Sequence, residues 1–276
     1  MVTLGPARVD SGPFEQPHTL SGHFHILRDF RSEVLDNQRD ILVHLPPGYD
    51  EQPELRHSVL YMHDGQNLFD SATAFGGQEW HLDETADIMV TAGKIEPLII
   101  VGINHMGEDR MHELTPTASR KHKAGGRGPH YAKFVVEELK PFIDANYRTR
   151  PERQHTGTGG ASLGGLTALY LGFAVPDIFS RLMVMSPSLW WDRRAVLQEL
   201  RAAHDKIPLK IWLDAGTNEG GGTLQNVRML KNALIRRGWA HGVDLRYLEA
   251  QGANHSEPAW AARVGAALEF LFGRSS

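Results

Sequence analysis

Cysteine is missing from all 276 residues, which excludes disulfides, thiol nucleophiles and cysteine-ligated zinc. No apolar run is long enough to span a bilayer. The first residues, Met1-Val2-Thr3-Leu4-Gly5-Pro6, lack the charged and hydrophobic regions of a secretion signal, so a cytoplasmic setting without a membrane partner is expected. An excess of basic charge is missing too. With 29 Lys and Arg against 33 Asp and Glu, the formal net charge is -4, and binding to a phosphate backbone would need clustered cations. Nucleic acid is therefore not an expected partner. The densest basic stretch, Arg120 to Arg127, is broken by Ala124-Gly125-Gly126 and reads as a solvated loop. Repeats, low-complexity tracts and interdomain linkers are absent as well.

What is present suits a globular chain. Hydrophobic residues make up 41% and charged residues 22%, and a chain of this length can bury one large core. Residues 1–18 hold several prolines and glycines without periodicity and are expected to form a surface arm, with a single domain over 19–276. Two extended segments, His23 to Leu27 and Asp40 to Leu45, precede the turn signal Pro46-Pro47-Gly48 and suggest an antiparallel start to a sheet. His23 and His25 share a strand face, but no third ligand is near in sequence, so they read as surface histidines and no metal is expected.

From there strands and helices alternate. Ser58 to Met62, Pro97 to Gly102, Arg153 to Thr158, Leu182 to Met185, Leu209 to Asp214 and Val243 to Leu248 read as strands. Between them lie helical stripes at Leu82, Ala86, Met89 and Val90, then from Tyr131 to Asn146, where Pro141 is placed to kink the helix. Further stripes fall at Leu166, Leu169, Tyr170 and Phe173, from Leu224 to Arg237, and from Ser256 to Leu271. The β-α-β rhythm predicts an α/β fold with a mostly parallel sheet of about eight strands and helices on both faces.

One turn carries chemistry. Gly160-Ala161-Ser162-Leu163-Gly164 fits G-x-S-x-G, in which a serine occupies a strand-to-helix corner too tight for bulky neighbours. A phosphate-binding loop would need Gly-Lys-Ser/Thr at the helix entrance, and Gly164-Gly165-Leu166 has no lysine. A serine hydroxyl needs a base within reach, and the base needs an acid to fix its tautomer. Among 15 histidines, His255 lies in the loop between the last strand and the last helix, where an imidazole can lean over the elbow. Two acids compete for the third role. Glu219, in the loop beyond its strand, has more freedom to reach His255 and is favoured, while Asp214 ends the strand itself and is the alternative. Ser162, then an acid, then His255 is the α/β-hydrolase order. His63-Asp64-Gly65 directly after a strand is where that fold keeps half of its oxyanion hole, with the N–H of Gln66 as donor.

Other features have two readings. The polar, Gly-rich stretch from Asn104 to Pro129 is too long for a simple connection and is expected to be a functional insertion near the site. Its Asp109, Arg110, His112 and Glu113 default to solvated loop charges. Trp190 and Trp191, just past a strand's C-terminal end, could wall a substrate pocket or pack a helix down.

The segments His63-Asp64-Gly65-Gln66-Asn67, Gly160 to Gly165, Gly216-Thr217-Asn218-Glu219 and Asn254-His255 together resemble the putative esterase family of α/β-hydrolases. That family groups enterochelin esterases, S-formylglutathione hydrolases, feruloyl esterases and mycolyltransferases, and the likeness runs from about residue 20 to the end. The resemblance implies Ser162 as nucleophile, His255 as base, and the N–H groups of Gln66 and Leu163 as the oxyanion hole. Related feruloyl esterases end the Gly-Thr-Asn motif in Asp, so Glu219 is a departure by one methylene. The expectation is a serine carboxylesterase acting on a small-molecule ester without cofactor. An acyltransferase, or a silent binding protein on the same fold, is the alternative.

Overall fold

The computed structural model describes residues 17–202 and 206–274. Two long strands open the chain, β1 (His23–Ser32) and β2 (Asn37–Leu45), and β3 (Ser58–His63) follows the Pro46-Pro47-Gly48 turn. Then come α1 (Leu82–Thr91), β4 (Leu98–Ile103), the short α2 (Arg110–Glu113), and a two-stranded ribbon of β5 (Ala118–Ser119) and β6 (Ala124–Gly125). Next are α3 (Gly128–Lys133), a π-helical turn over Phe134–Leu139, and α4 (Lys140–Asn146). The second half runs β7 (Thr156–Ala161), α5 (Leu163–Ala174), β8 (Arg181–Met185), α6 (Ala195–Ala202), β9 (Lys210–Gly216), α7 (Thr223–Arg236), β10 (Leu245–Ala250) and α8 (Glu257–Phe272).

Eight strands form one sheet in the order β1-β2-β4-β3-β7-β8-β9-β10. β1 pairs antiparallel with β2, and β2 with β4; every later pairing is parallel. The antiparallel start and the parallel remainder are those expected from the sequence. Because side chains alternate along a strand, the sheet feeds two cores. Val59, Tyr61, Ile99, Val101, Leu182, Val184, Ile211 and Leu213 pack with Phe134, Leu166, Leu169, Val227 and Leu230, so the 128–146 helices, α5 and α7 cover that face. Leu60, Met62, Ile100, Met183, Met185 and Trp212 pack with Leu82, Ala86, Trp260, Val264 and Leu268, so α1 and α8 cover the other.

Several boundaries differ from the sequence reading. The strand expected over Arg153 to Thr158 begins at Thr156, because Arg153–His155 form a 3-10 turn in which Arg153 Nε donates to the Pro176 carbonyl (2.8 Å). The helix expected from Tyr131 to Asn146 starts at Gly128 and contains the π turn just before Pro141, which has no N–H to offer the preceding carbonyl. The arm expected over residues 1–18 lies, apart from Pro17 and His18, outside the described residues. Among the described residues no helix is long and apolar enough to cross a membrane.

Candidate active site

Ser162 stands alone between β7 and α5 with φ 57° and ψ -119°, a conformation that costs a non-glycine residue roughly 1–3 kcal/mol. Backbone bonds on both sides hold it there: Ser162 N–H donates to the Met185 carbonyl (3.1 Å), and Ser188 N–H donates to the Ser162 carbonyl (2.9 Å). The corner closes only because its flanks lack side chains. A Cβ on Gly160 would lie 2.9 Å from the carbonyl carbon of Gly164, and one on Gly164 would lie 3.2 Å from His63 Cβ. The Ser162 hydroxyl makes a hydrogen bond to Ser188 Oγ (3.2 Å).

His255 follows β10, and its Nδ1 lies 2.9 Å from Glu219 Oε2, in the loop after β9. The Glu219 side chain is fully buried; its other oxygen, Oε1, accepts the Ser186 hydroxyl (2.5 Å) and the Gly216 N–H (2.6 Å). Burial pushes this carboxyl up, but the bonds from His255, Ser186 and Gly216 outweigh burial and hold it below the usual glutamate range. An ionised carboxylate only accepts, so the neutral imidazole carries its hydrogen on Nδ1 and leaves Nε2 as a lone pair.

Asp214, the alternative acid, does not meet His255. Its Oδ2 accepts from Trp212 Nε1 (2.7 Å), and its Oδ1 from Arg263 Nη2 (3.1 Å) and Ser186 N–H (3.3 Å). The strand expected to end at Asp214 runs on to Gly216, so Asp214 is held inside β9, whereas the loop beyond carries Glu219 out to the imidazole. Ser186, at φ 42°, joins the two acids: its hydroxyl serves Glu219 and also accepts from Trp260 Nε1 (3.0 Å) and Arg263 Nη2 (3.1 Å). Trp260 in turn meets the His255 ring edge-on at 4.8 Å. Sequence reasoning missed Ser186, Trp260 and Arg263 as supports, since nothing in their spacing points at residues 219 and 255.

Ser162 and His255 line one cavity of about 420 Å³, walled on its apolar side by Leu68, Phe75, Trp80 and Trp260. Its polar side is Asp64, Asn67, His105, Arg110 and Glu257. The 104–129 insertion supplies His105 and Arg110, and two of its charges are not solvated loop charges. Arg110 grips Asp64 through Nε (2.6 Å) and Nη2 (2.8 Å), and Glu113 is buried against Arg39 (2.9 Å). Burial opposes charge on Asp64, yet Arg110 holds its carboxyl below the ordinary range; burial likewise pushes His105 down and Glu257 up. His112 accepts Gly125 N–H on Nδ1 (3.2 Å).

Gln66 sits in the 3-10 turn Gly65–Asn67 after β3, between the cavity-lining Asp64 and Asn67, and its Oε1 accepts His105 N–H (3.2 Å). Leu163 opens α5 next to Ser162. Trp190 and Trp191 are placed elsewhere. Trp191 is buried, donates Nε1 to the Thr117 carbonyl (2.8 Å) and stacks on His122 at 5.3 Å, and the more exposed Trp190 meets the same ring at 5.4 Å. They pack the insertion down and do not wall the cavity that holds Ser162 and His255.

Comparison with known proteins places the chain in a family. The family described as Putative esterase matches residues 32–271. A Bacillus subtilis protein named Uncharacterized protein YbbA is 24% identical over 256 residues, covering 88% of this chain and 96% of that one. The Iron(III) enterobactin esterase of Dickeya dadantii is 31% identical over 229 residues, covering 76% of this chain, and the chain spans about half of that relative's length (47%). The crystal structure of the BES protein from Bacillus cereus superposes with a TM-score of 0.70 at 23% identity, over 98% of both chains.

Proposed function

From the premise that this chain belongs to the putative esterase family and is a carboxylic ester hydrolase of the α/β-hydrolase fold, we propose that it works through a Ser162–His255–Glu219 triad and an acyl-enzyme. The observation that carries the reading is the shared cavity: a serine on a strained elbow and an imidazole tethered to a buried carboxylate line the same 420 Å³ space.

In this mechanism Ser162 Oγ attacks the ester carbonyl while His255 Nε2 takes its proton. Glu219 fixes the tautomer and balances the imidazolium. The N–H groups of Gln66 and Leu163 stabilise the oxyanion, each such donor being worth on the order of 10²–10³ in turnover. Collapse breaks the bond to the alcohol, which leaves with the proton from His255. Water then adds to the acyl-serine, gives its proton to the same nitrogen and releases the acid.

The substrate class proposed is a small ester with an aromatic acyl or alcohol part. Supporting it are the wall of Phe75, Trp80 and Trp260 and the likeness to a relative named for its action on an iron(III) enterobactin ester. A hydrolysis screen of acetyl, butyryl, feruloyl and dihydroxybenzoyl esters tests both parts. Ser162→Ala is expected to abolish turnover of every substrate cleaved, and aromatic esters are expected to have the highest kcat/KM. Wild-type-like hydrolysis by Ser162→Ala would defeat the triad; a preference for short aliphatic esters would defeat the substrate class alone.

A further inference from the structure

On either side of Trp80 in the chain, the turn into α1 gathers Glu79, His81 and Glu84, whose ligating atoms lie within 4.8 Å of one another. His81 Nδ1 is 3.4 Å from Glu84 Oε1 and 3.7 Å from Glu79 Oε1. Bonds of about 2.1 Å at tetrahedral angles put neighbouring ligand atoms about 3.4 Å apart, so these separations are those of ligands around one small cation.

A second observation is independent of that spacing. Glu79 is 3% exposed, and its Oε2 is buried without a hydrogen-bond partner. Among the described residues no Lys or Arg pairs with Glu79, Asp83 or Glu84. Leaving a buried carboxylate oxygen unsatisfied costs at least 1–3 kcal/mol. A cavity of about 430 Å³, lined in part by Glu79, His81, Thr19 and Pro258, gives an ion a way in.

We propose that Glu79, His81 and Glu84 bind one borderline divalent cation of the Zn²⁺ type, with the Thr19 hydroxyl or a water in the fourth position. One imidazole with two carboxylates is a donor set suited to such an ion and poor for Ca²⁺ or Mg²⁺, which take oxygen ligands. The site's role is to clamp a wall. Thr19 belongs to the segment before β1 and its hydroxyl already donates to Glu79 Oε1, while Trp80, between two of the ligands, lines the catalytic cavity and packs on Trp260 at 5.7 Å. A cation would tie the entering chain, the Trp80 wall and α1 together.

The test is titration calorimetry and thermal melting of the chelator-treated full chain with Zn²⁺. One saturable site per chain and a rise in Tm are expected. His81→Asn should weaken binding at least tenfold and remove the Tm rise. Asn tolerates the left-handed backbone at this position (φ 50°), and the His81 side chain is mostly exposed, so this variant keeps the fold; Glu79→Gln should act the same way. A His23→Ala/His25→Ala double variant should bind as the parent does. The proposal is overturned if the parent shows no saturable binding, if His81→Asn binds unchanged, or if binding disappears with His23 and His25.

Discussion

The 2.9 Å approach of Glu219 Oε2 to His255 Nδ1 joins a fully buried carboxylate to a partly exposed imidazole. In the proposed triad that asymmetry separates orientation from proton transfer: the carboxylate is locked by three donors, and the imidazole remains open to the cavity. Glu219→Gln puts an amide that can donate where only an acceptor belongs, favouring the tautomer with hydrogen on Nε2. kcat should fall by about 10³–10⁴-fold with KM little changed. Asp214→Asn should leave kcat within about tenfold but lower stability by about 3 kcal/mol, since buried Arg263 loses the nearer of its two counter-charges and keeps only Glu219 at 4.0 Å. Steady-state kinetics and urea melts of the two variants check the division, and it fails if Asp214→Asn is the one that loses turnover.

Ser186 donates to Glu219 Oε1 while accepting from Trp260 and Arg263. Ser186→Ala leaves all three without that partner. The expected outcome is about a tenfold loss in kcat from a loosened Glu219 and a destabilisation of about 1–3 kcal/mol. A variant with parental kcat and melting behaviour would show that the hydroxyl does not support the acid.

Phe75 is 77% exposed and lines the cavity that holds Ser162 and His255, where its ring is free to meet a bound aromatic group. Phe75→Ala should raise KM for feruloyl or dihydroxybenzoyl esters about tenfold, a loss of about 1.4 kcal/mol in contact, while acetyl esters change little. Equal effects on both substrate groups would remove Phe75 from the aromatic subsite.

His63 is buried between the hydroxyls of Tyr131 (3.0 Å) and Thr158 (3.1 Å), and burial lowers its pKa to about 4. The unfolded chain takes up a proton near pH 6.5, and the folded chain refuses it until about pH 4. Stability is therefore lost as pH falls from about 6.5 towards 4, by about 3 kcal/mol from this group, and is insensitive to it above about pH 7.5. Urea unfolding across that range should show the decline, and His63→Gln should flatten it. Identical slopes in parent and variant would contradict this source.

The sequence was most informative where one short motif and one topological order carry the information. The Gly160–Gly164 corner, the apolar runs at Ile99–Val101 and Leu182–Met185, and the late His255 could be placed without coordinates. β7 was harder, because Gly157, Gly159 and Gly160 have no strand propensity and are there for packing: a Cβ on Gly159 would come within 2.7 Å of Met183 Cβ. Glu219 and Asp214 could be ranked only by loop freedom, since which one meets the imidazole depends on where Arg263 and Trp212 lie. Trp190 and Trp191 read equally well as pocket or packing, and their packing partner, His122, is brought close only by the folded insertion. Arg110 looked like a loop charge until the fold brought Asp64 to it, and the Glu79–His81–Glu84 group has none of the spacings associated with metal motifs.

Every step of the proposed chemistry depends on activation of the Ser162 hydroxyl by His255. Reaction of the folded chain with a fluorophosphonate, followed by intact mass and peptide mapping, measures that most directly. One adduct per chain is expected, located at Ser162, absent in Ser162→Ala and formed at least about a hundredfold more slowly in His255→Ala. No adduct on the folded parent, or an adduct on another residue, would contradict it.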